Sequence, residues 1–392
     1  MDIFSVLNFI CGIALFLYGM FVMGEAIEKL AGSKFKLLLK KITSNPMSGI
    51  LLGTGVTSLI QSSSATTVMV VGLVNSGILT LENSVSVMMG ASIGTTVTAW
   101  LLSMTGIQST LFVLQMFKPS SFTPILATIG ICFIMFSKSD KKKMSAQIMF
   151  GFTILIVGME MMVASVEPLP ETPAFTQILL YFKNPALGVF TGTFVTAIIQ
   201  SSTASIGILQ AMSMAGNISY SVAFPIILGQ NIGTCITAII ASAGTTSNAK
   251  RAAILHLYYK IIGAIIFMGV YYLVRIIFGA SFMDGYVTPV TIAVFHTVYN
   301  VLNTALLIPF RKFLIRISTA TIKDKPTDVL SFPTLDIVNG KPEPTRENFP
   351  HDYNPESGHV QIGDIVVNEN ERNRGKLIEH GLKHLLGFHH NE

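Results

Sequence analysis

Residues 53–65 read GTGVTSLIQSSSA, and residues 192–204 read GTFVTAIIQSSTA. The two stretches are separated by 139 positions. The same separation pairs Asn45-Pro46 with Asn184-Pro185, and Gly90 with Gly229. A long ungapped repeat in an apolar chain is typical of secondary transporters. The sequence therefore predicts two related structural repeats, with a glutamine-serine motif at the centre of each.

The composition predicts a membrane domain followed by a soluble tail. Of the 392 residues, 51% are hydrophobic and 12% are charged, whereas soluble domains are about 25% charged. Apolar runs dominate up to about Phe310, and an ordinary charged sequence begins at about Lys323. We expect transmembrane repeat 1 over 1–145, repeat 2 with two following spans over 146–312, a linker over 313–322 and a cytoplasmic tail over 323–392.

The apolar runs predict an all-α polytopic membrane protein. A spanning helix needs about 20 apolar residues. Full spans are expected near 5–24, 82–104, 120–137, 146–165, 219–243, 252–277 and 288–310. In the two Gln-Ser-Ser segments each apolar half is too short to cross alone. We expect each to form a re-entrant helical hairpin with its polar tip near the middle of the membrane, where irregular backbone must be covered or face a cavity.

The basic residues predict the orientation. If the N-terminus lies outside, nearly every basic cluster falls on the cytoplasmic side, as the positive-inside rule requires. Repeat 1 then contains three crossings, so repeat 2 is inverted and the hairpins enter from opposite faces. We expect a multi-pass protein of the cytoplasmic (inner) membrane with a cytoplasmic C-terminus. The basic clusters lie at 29–41, 138–143, 250–251 and 311–316.

The hairpin tips are the candidate substrate site. Inverted symmetry brings the tips together at the membrane midplane, where such transporters place their substrate. Helices that start at the tips aim backbone N–H groups at one point, and hydroxyls and amides add neutral donors, so an oxyanion can be held there. The candidate residues are Gln61, Ser62, Ser63, Ser64, Gln200, Ser201, Ser202 and Thr203.

A second set of polar residues offers oxygen ligands, which suit a hard cation such as sodium. The alternative is that these small residues serve close helix packing. The ionisable residues His256, Lys260 and His296 lie within or near spans, and both structural and functional roles stay open for them. The candidate sodium ligands are Thr66, Ser92, Thr95, Ser205, Asn231 and Thr234.

Residues 5–312 resemble the type II sodium–phosphate cotransporters in their shorter bacterial form. The resemblance rests on the doubled Gln-Ser-Ser motif, on Gly-x-x-Ile-Gly-Thr at 90–95 and 229–234, and on His-Thr-Val-Tyr-Asn at 296–300. It implies sodium-driven uptake of inorganic phosphate at the hairpin tips. Lys260 departs from the pattern, because Asn is expected in the parallel stretch His-Leu-Tyr-Tyr-Lys at 256–260.

The tail predicts a different chemistry. Residues 380–390 follow the pattern HGxxHxxGxxH. Histidines four apart on a helix share a face, and a third after a Gly turn completes a three-ligand zinc set with an open position for water. Residues 319–392 resemble part of the YbeY-type endoribonucleases, which implies Zn²⁺ at His380, His384 and His390 and ribosomal RNA as partner. We expect a small, partial α+β segment.

The leading interpretation is a sodium-coupled phosphate symporter in a lipid bilayer, with no enzymatic activity in the membrane domain. One alternative is a membrane-tethered, zinc-dependent endoribonuclease whose membrane part is mainly an anchor. Another is a carrier of a different oxyanion, such as sulfate or a carboxylate, because neutral donors alone do not distinguish these anions.

Overall fold

The computed structural model describes residues 3–40, 45–106, 116, 118–167, 184–214, 216, 218–323, 353–354 and 359–360. The chain divides into two units, Met1–Ile322 and Lys323–Glu392. In the described part of the first unit, seven helical segments are long and apolar enough to cross a membrane. The chain is therefore a nearly all-helical, multi-pass membrane protein, and the predicted number of full spans is confirmed.

The helices up to residue 166 carry the first Gln-Ser-Ser motif. Long helix α1 is followed by two short apolar helices and three longer helices. In the described residues they are α1 (Ile3–Lys40), α2 (Pro46–Ile60), α3 (Ser63–Asn75), α4 (Leu81–Ser103), α5 (Pro119–Phe136) and α6 (Asp140–Val166).

The helices after residue 184 carry the second motif and two further spans. They are α7 (Pro185–Ile199), α8 (Ser202–Met214), α9 (Tyr220–Gly233), α10 (Cys235–Ala241), α11 (Ser247–Phe278), α12 (Ala280–Met283), α13 (Pro289–Leu307) and α14 (Arg311–Thr321). Strands β1 (Tyr353–Asn354) and β2 (His359–Val360) form an antiparallel pair in the second unit.

The helix bounds repeat with the same separation as the sequence. Helices α2 and α7 have 15 residues each, and α3 and α8 have 13 each. Both α2 and α7 begin with proline after an asparagine cap, whose side chain accepts a hydrogen bond from the second helical N–H. These local signals start both helices at equivalent positions, because proline suits the first helical turn and asparagine satisfies an unpaired donor. We call α2 with α3 the first helix pair, and α7 with α8 the second.

Glycines let each helix pair pack closely against the next long helix. A Cβ atom on Gly53 or Gly90 would collide with the backbone of the facing helix at the contact of α2 and α4. Gly192 and Gly229 have the same constraint at the contact of α7 and α9. Small residues allow such close approach between membrane helices. The repeat therefore encodes one packing geometry twice.

The two repeats differ in the helix that follows the helix pair. Helix α4 is continuous from Leu81 to Ser103, whereas the equivalent segment is interrupted at Thr234 between α9 and α10. The single span predicted over 219–243 is confirmed as the candidate span Tyr220–Ala241, and the turn at Thr234 divides it into α9 and α10. Pro225 lies inside α9 and removes one helical N–H.

The surface of the first unit is apolar and its interior is partly polar. Large apolar side chains such as Phe4, Phe136 and Ile276 are at least 70% exposed. Many hydroxyl and amide side chains, including Thr66, Gln210 and Asn300, are fully buried. This inverse arrangement suits a bilayer, because lipid tails solvate the apolar surface and polar groups find partners inside.

The segment predicted to be a linker, 313–322, is instead part of a packed helix. Helix α14 (Arg311–Thr321) has an amphipathic pattern, with Leu314 and Ser318 buried. It packs against α11, where Arg251 Nε donates to the carbonyl of Ile322 at 2.9 Å. Its apolar stripe therefore explains why this segment is ordered rather than a simple connection.

Candidate functional site

Each helix pair turns on a glutamine in the left-handed conformation. Gln61 has φ 60° and ψ 19°, and Gln200 has φ 59° and ψ 19°. In the described residues no other non-glycine residue has positive φ. Such backbone strain is uncommon for a long side chain and concentrates at functional sites. The nearly identical angles show that both pairs form the same strained turn.

The two turns touch each other. The hydroxyl of Ser64, in the first turn of α3, donates to the backbone carbonyl of Gln200 at 3.0 Å. These residues are 136 positions apart in the sequence. The structure therefore brings the two Gln-Ser-Ser motifs together.

A cavity of about 300 Å³ lies beside this contact. Its polar wall contains Gln61 and Ser62 from the first motif and Gln200 and Ser201 from the second. Its volume lies at the lower end of the ~300–1,000 Å³ range of ligand pockets. Residues of α1 complete the lining, namely Met20, Phe21, Gly24 and Glu25, together with Ile60 and Ala65.

The remaining candidate substrate residues surround the turns without lining that cavity. Ser63 and Ser64 are half-buried, whereas Ser202 and Thr203 are buried. Helix geometry leaves the first backbone N–H groups of α3 and α8 without intrahelical partners. Ser62 Oγ accepts from Ala65 N at 3.1 Å, and Ser201 Oγ accepts from Ala204 N at 3.2 Å. The N–H groups before these alanines remain available to an anion.

The side chains of the two glutamines are held differently. Gln61 Nε2 donates to the carbonyl of Ser58 at 2.6 Å, and its Oε1 accepts from Thr98 Oγ1 at 2.6 Å. The side chain of Gln200 is exposed and makes no hydrogen bond with the described residues. The equivalent of Thr98 is Thr237, which donates to the carbonyl of Thr234 instead. The first amide is therefore fixed by the protein, and the second is open to a ligand.

The candidate sodium residues are all buried, and most of them donate to helix carbonyls. Thr66 donates to the carbonyl of Ser62 at 3.0 Å and also accepts from Thr57 Oγ1 at 3.0 Å. Hydroxyl oxygens that donate in this way keep acceptor capacity for a cation. The carbonyls that accept from Ser92, Thr95 and Thr234 are those of Met88, Ala91 and Asn231, respectively. Ser205 stays a candidate through its position in the repeat.

Glu25 is a cavity residue that sequence reasoning missed. It lines the cavity from α1 and pairs with Lys29 one turn later at 2.8 Å. Its carboxylate disfavours a bare anion nearby and favours a cation. An acidic residue one position beyond a predicted span end was the available signal, but only tertiary packing places it next to the glutamines.

Lys260 forms a second polar centre between α9, α11 and α13. Its Nζ donates to Asn231 Oδ1 at 2.9 Å and to Asn300 Oδ1 at 3.0 Å. The rings of Tyr259 and Tyr299 lie 5.4 and 6.0 Å from the ammonium, within cation–π range. Lys260, Asn231 and Asn300 are each at most 3% exposed. The predicted sodium residue Asn231 therefore contacts an ammonium group.

The candidate zinc ligands His380, His384 and His390 lie outside the described residues. The tail interpretation is therefore untested by the structure and stays a prediction. In the described part of the chain, no group of three His, Cys, Asp or Glu side chains is placed to hold a metal ion.

Three relatives show how far similarity to known proteins extends. A Salmonella typhimurium protein, provisionally named as the inorganic phosphate export protein YjbB, is 24% identical over 357 residues, which are 87% of this chain and 62% of that protein. The Bacillus subtilis protein YqeW, whose name records no function, is 27% identical over 258 residues, 66% of this chain and 80% of that protein. Sodium-dependent phosphate transport protein 2A of Ovis aries is 41% identical over 88 residues, 21% of this chain and 14% of that protein.

This chain thus spans about 62% of the length of its export-protein relative. No solved structure matches it. The Na+/Pi-cotransporter family model matches residues 15–164 and 171–284, which include both Gln-Ser-Ser motifs and most of both repeats. The chain therefore belongs to the Na+/Pi-cotransporter family.

Proposed function

We propose that this protein carries inorganic phosphate across the cytoplasmic membrane together with sodium, and that the two Gln-Ser-Ser turns form the phosphate site. The observation that carries the proposal is the hydrogen bond from Ser64 to the Gln200 carbonyl, beside a cavity lined by both glutamines. Two motifs far apart in the sequence converge on one small cavity and supply polar groups to its wall.

The chemistry of that space suits a tetrahedral oxyanion. The cavity offers the amide of Gln200 and the hydroxyls of Ser62 and Ser201, and the starts of α3 and α8 directly after these serines add free N–H groups outside its lining. Helix N-termini favour anions through aligned backbone dipoles. Neutral donors hold phosphate without a fixed positive charge, so release needs no separation of a strong ion pair.

Sodium gives this site the charge balance that neutral donors lack. Glu25, paired with Lys29, places a carboxylate at the cavity, and a cation bound with phosphate offsets the repulsion that remains between the carboxylate and phosphate. The buried hydroxyls of Thr66, Ser92 and Thr95 add oxygens of the kind that hard cations prefer. We assign these residues, with Ser205 and Thr234, to the environment of the coupling ions, whereas the Asn231 side chain contacts the ammonium of Lys260.

The proposed arrangement contains two inverted repeats, with each helix pair re-entering from the face on which it starts. Met47 and Ala186 are equivalent, exposed residues in the first turns of α2 and α7. With the N-terminus outside, M47C should react with an impermeant thiol reagent only from the cytoplasmic side, and A186C only from outside. Labelling of both from one face would contradict the inversion. Native Cys11 and Cys132 are exposed, so they must be replaced first.

The central experiment is uptake of radiolabelled phosphate into proteoliposomes containing the full chain. An inward sodium gradient should drive accumulation, and a choline gradient of equal strength should not. Dissipating the sodium gradient with an ionophore should abolish accumulation. Phosphate uptake that is indifferent to sodium would overturn sodium coupling. Excess sulfate that competes fully with phosphate would favour the broader oxyanion carrier.

A second candidate direction is export, which the name of the Salmonella relative favours. The same site serves either direction, because a secondary carrier follows the summed gradients of its ligands. Proteoliposomes loaded with phosphate, with sodium high inside, separate the alternatives. Efflux under that gradient without uptake under the reverse gradient would assign export.

For the tail we keep the proposal of a zinc site at His380, His384 and His390, supported by the spacing of the histidines. Metal analysis of the purified full chain should find about one zinc ion, as expected for a three-histidine site. The variant H384A should lose it. Equal zinc content in both proteins would remove the zinc site, and with it the endoribonuclease alternative.

A further inference from the structure

Lys260 is a buried cation for which the proposed phosphate site has no use. It lies nine residues beyond Arg251 in α11, about 13 Å along the helix axis. In the described part of the chain no carboxylate lies within ion-pair distance of its ammonium. An ionisable side chain inside a membrane segment is expensive and is usually retained for a function.

Two side-chain amide oxygens are held facing this ammonium. Asn231 Nδ2 donates to the carbonyl of Ile227 at 3.0 Å, and Asn300 Nδ2 donates to the carbonyl of His296 at 2.8 Å. These bonds fix both amides so that each Oδ1 faces Lys260 Nζ. Fixed amide oxygens with aromatic rings nearby form a site suited to a small monovalent cation.

The sequence around Lys260 repeats on the helix that faces it. Residues 256–260 and 296–300 share the pattern His-x-x-Tyr-x, ending in Lys260 and Asn300, respectively. The aromatic positions bind the two helices together, because Tyr299 OH donates to the Lys260 carbonyl at 3.3 Å and Tyr259 OH bonds Thr304 Oγ1 at 2.8 Å. At the last position of this pattern, α13 thus supplies the amide oxygen of Asn300 and α11 supplies the positive charge of Lys260.

We propose that the ammonium of Lys260 occupies a cation site formed by Asn231 and Asn300, and so replaces one coupling sodium ion. The wild-type carrier then moves one sodium ion fewer per phosphate than a chain with a neutral residue at this position. The predicted change in coupling ratio rests on the proposed sodium-coupled transport, whereas the cation site itself does not depend on that proposal.

The first test measures sodium binding without transport. Purified full-length K260N, which restores the amide found at Asn300, should bind about one more sodium ion than wild type, because the site loses its tethered charge. The probe is radiolabelled sodium at equilibrium, with choline as the replacement cation. K260R keeps the charge and should match wild type. No gain in K260N would overturn the inference, whatever the transported substrate.

The second test measures coupling in proteoliposomes. K260N should transport phosphate at high sodium with about one more sodium ion per phosphate than wild type, because a mobile sodium ion replaces the fixed ammonium. Reversal potentials measure this coupling ratio.

K260M removes the charge, fills the space and offers no oxygen ligand. It should fold, as checked by gel filtration, but its phosphate uptake should fall at least about tenfold. Wild-type uptake and sodium dependence in K260M would refute the inference even if K260N were unstable.

The two tests separate this inference from the proposed function. If wild-type uptake proves independent of sodium, sodium symport fails, whereas a sodium site gained by K260N would still establish the cation position. If wild-type uptake needs sodium but K260N gains neither binding nor coupling, symport stands and the tethered cation is refuted.

Discussion

The two helix pairs have the same backbone and different side-chain partners. Both turn on a left-handed glutamine after a 15-residue helix. In the first pair the Gln61 amide is held by Thr98 and Ser58, whereas in the second the Gln200 amide is open at the cavity. The repeat thus preserves the shape of the turn, while the equivalent side chains of Thr98 and Thr237 make different hydrogen bonds. We therefore expect the first pair to serve as the framework and the second to contact the ligand.

A second contrast supports this division. In the first pair, Thr57 Oγ1 donates to Thr66 Oγ1 at 3.0 Å and joins α2 to α3. The equivalent hydroxyl of Thr196 is buried without a partner in the described structure, and Ser205 replaces Thr66. In the second pair Gln230 from α9 instead donates to the Ser205 carbonyl at 2.9 Å. The second pair therefore lacks the hydroxyl–hydroxyl bond that joins the two helices of the first pair, which we expect of the pair that responds to the ligand.

The largest effects are expected at the two glutamines. Q200A should abolish phosphate uptake, a loss of roughly 100-fold, because a hydrogen bond to a charged ligand contributes up to about 3 kcal/mol. Q61A should also abolish uptake, because it removes the amide that Ser58 and Thr98 hold at the cavity. The readout is initial uptake at equal protein density, with folding checked by gel filtration.

Two controls separate the side-chain amide of Gln200 from its backbone strain. Q200N keeps an amide in a residue that tolerates positive φ, and it should retain part of the activity. Q200G relieves the strain but lacks the amide, and it should be inactive. Active Q200G would show that only the turn geometry matters and would remove the proposed ligand role.

The contact between the turns should have the next largest effect. S64A removes the hydrogen bond to the Gln200 carbonyl and should lower uptake about five- to tenfold, since such a bond contributes about 1 kcal/mol or more. The matched control is T203A at the equivalent position, whose hydroxyl makes no hydrogen bond across the turns in the described structure. Equal losses in both variants would show that the contact between the turns has no special role.

Loss of the hydrogen bond from Thr98 to the Gln61 side chain should have a smaller effect on uptake. T98V removes the hydroxyl that bonds Gln61 Oε1 and should lower uptake about three- to fivefold by loosening the first amide. T237V changes the equivalent residue, which bonds only its own helix, and should stay near wild type. If T237V proved the more harmful, the assignment of framework and ligand-binding pairs would be reversed.

The smallest effect on transport is expected at the threonines inside the helix pairs. T57V leaves the Thr66 hydroxyl without its donor and should lower the free energy of unfolding by about 1 kcal/mol, with uptake within about twofold of wild type. T196V replaces a hydroxyl that already lacks a partner and should be neutral or stabilising. Thermal unfolding in detergent compares the two, and equal destabilisation would contradict the difference.

Much of the architecture was predictable from local patterns. Apolar run lengths gave the seven spans, and the Asn-Pro starts gave the equivalent beginnings of α2 and α7. The repeat also indicated which residues would meet, and Ser64 and Gln200 do meet. The helical character of 313–322 was missed, because the packing of one amphipathic face does not show in an apolar count.

The sequence by itself determined a duplicated, lipid-embedded helical chain with polar turns at equivalent positions, because hydropathy, helix caps and repeat spacing are local properties. Only the tertiary structure decided that Glu25 lines the cavity, that Thr98 holds Gln61, and that Lys260 lies between Asn231 and Asn300. The residues in each of these contacts are at least 29 positions apart in the chain. Close packing of side chains selects such contacts, and no sequence periodicity predicts them.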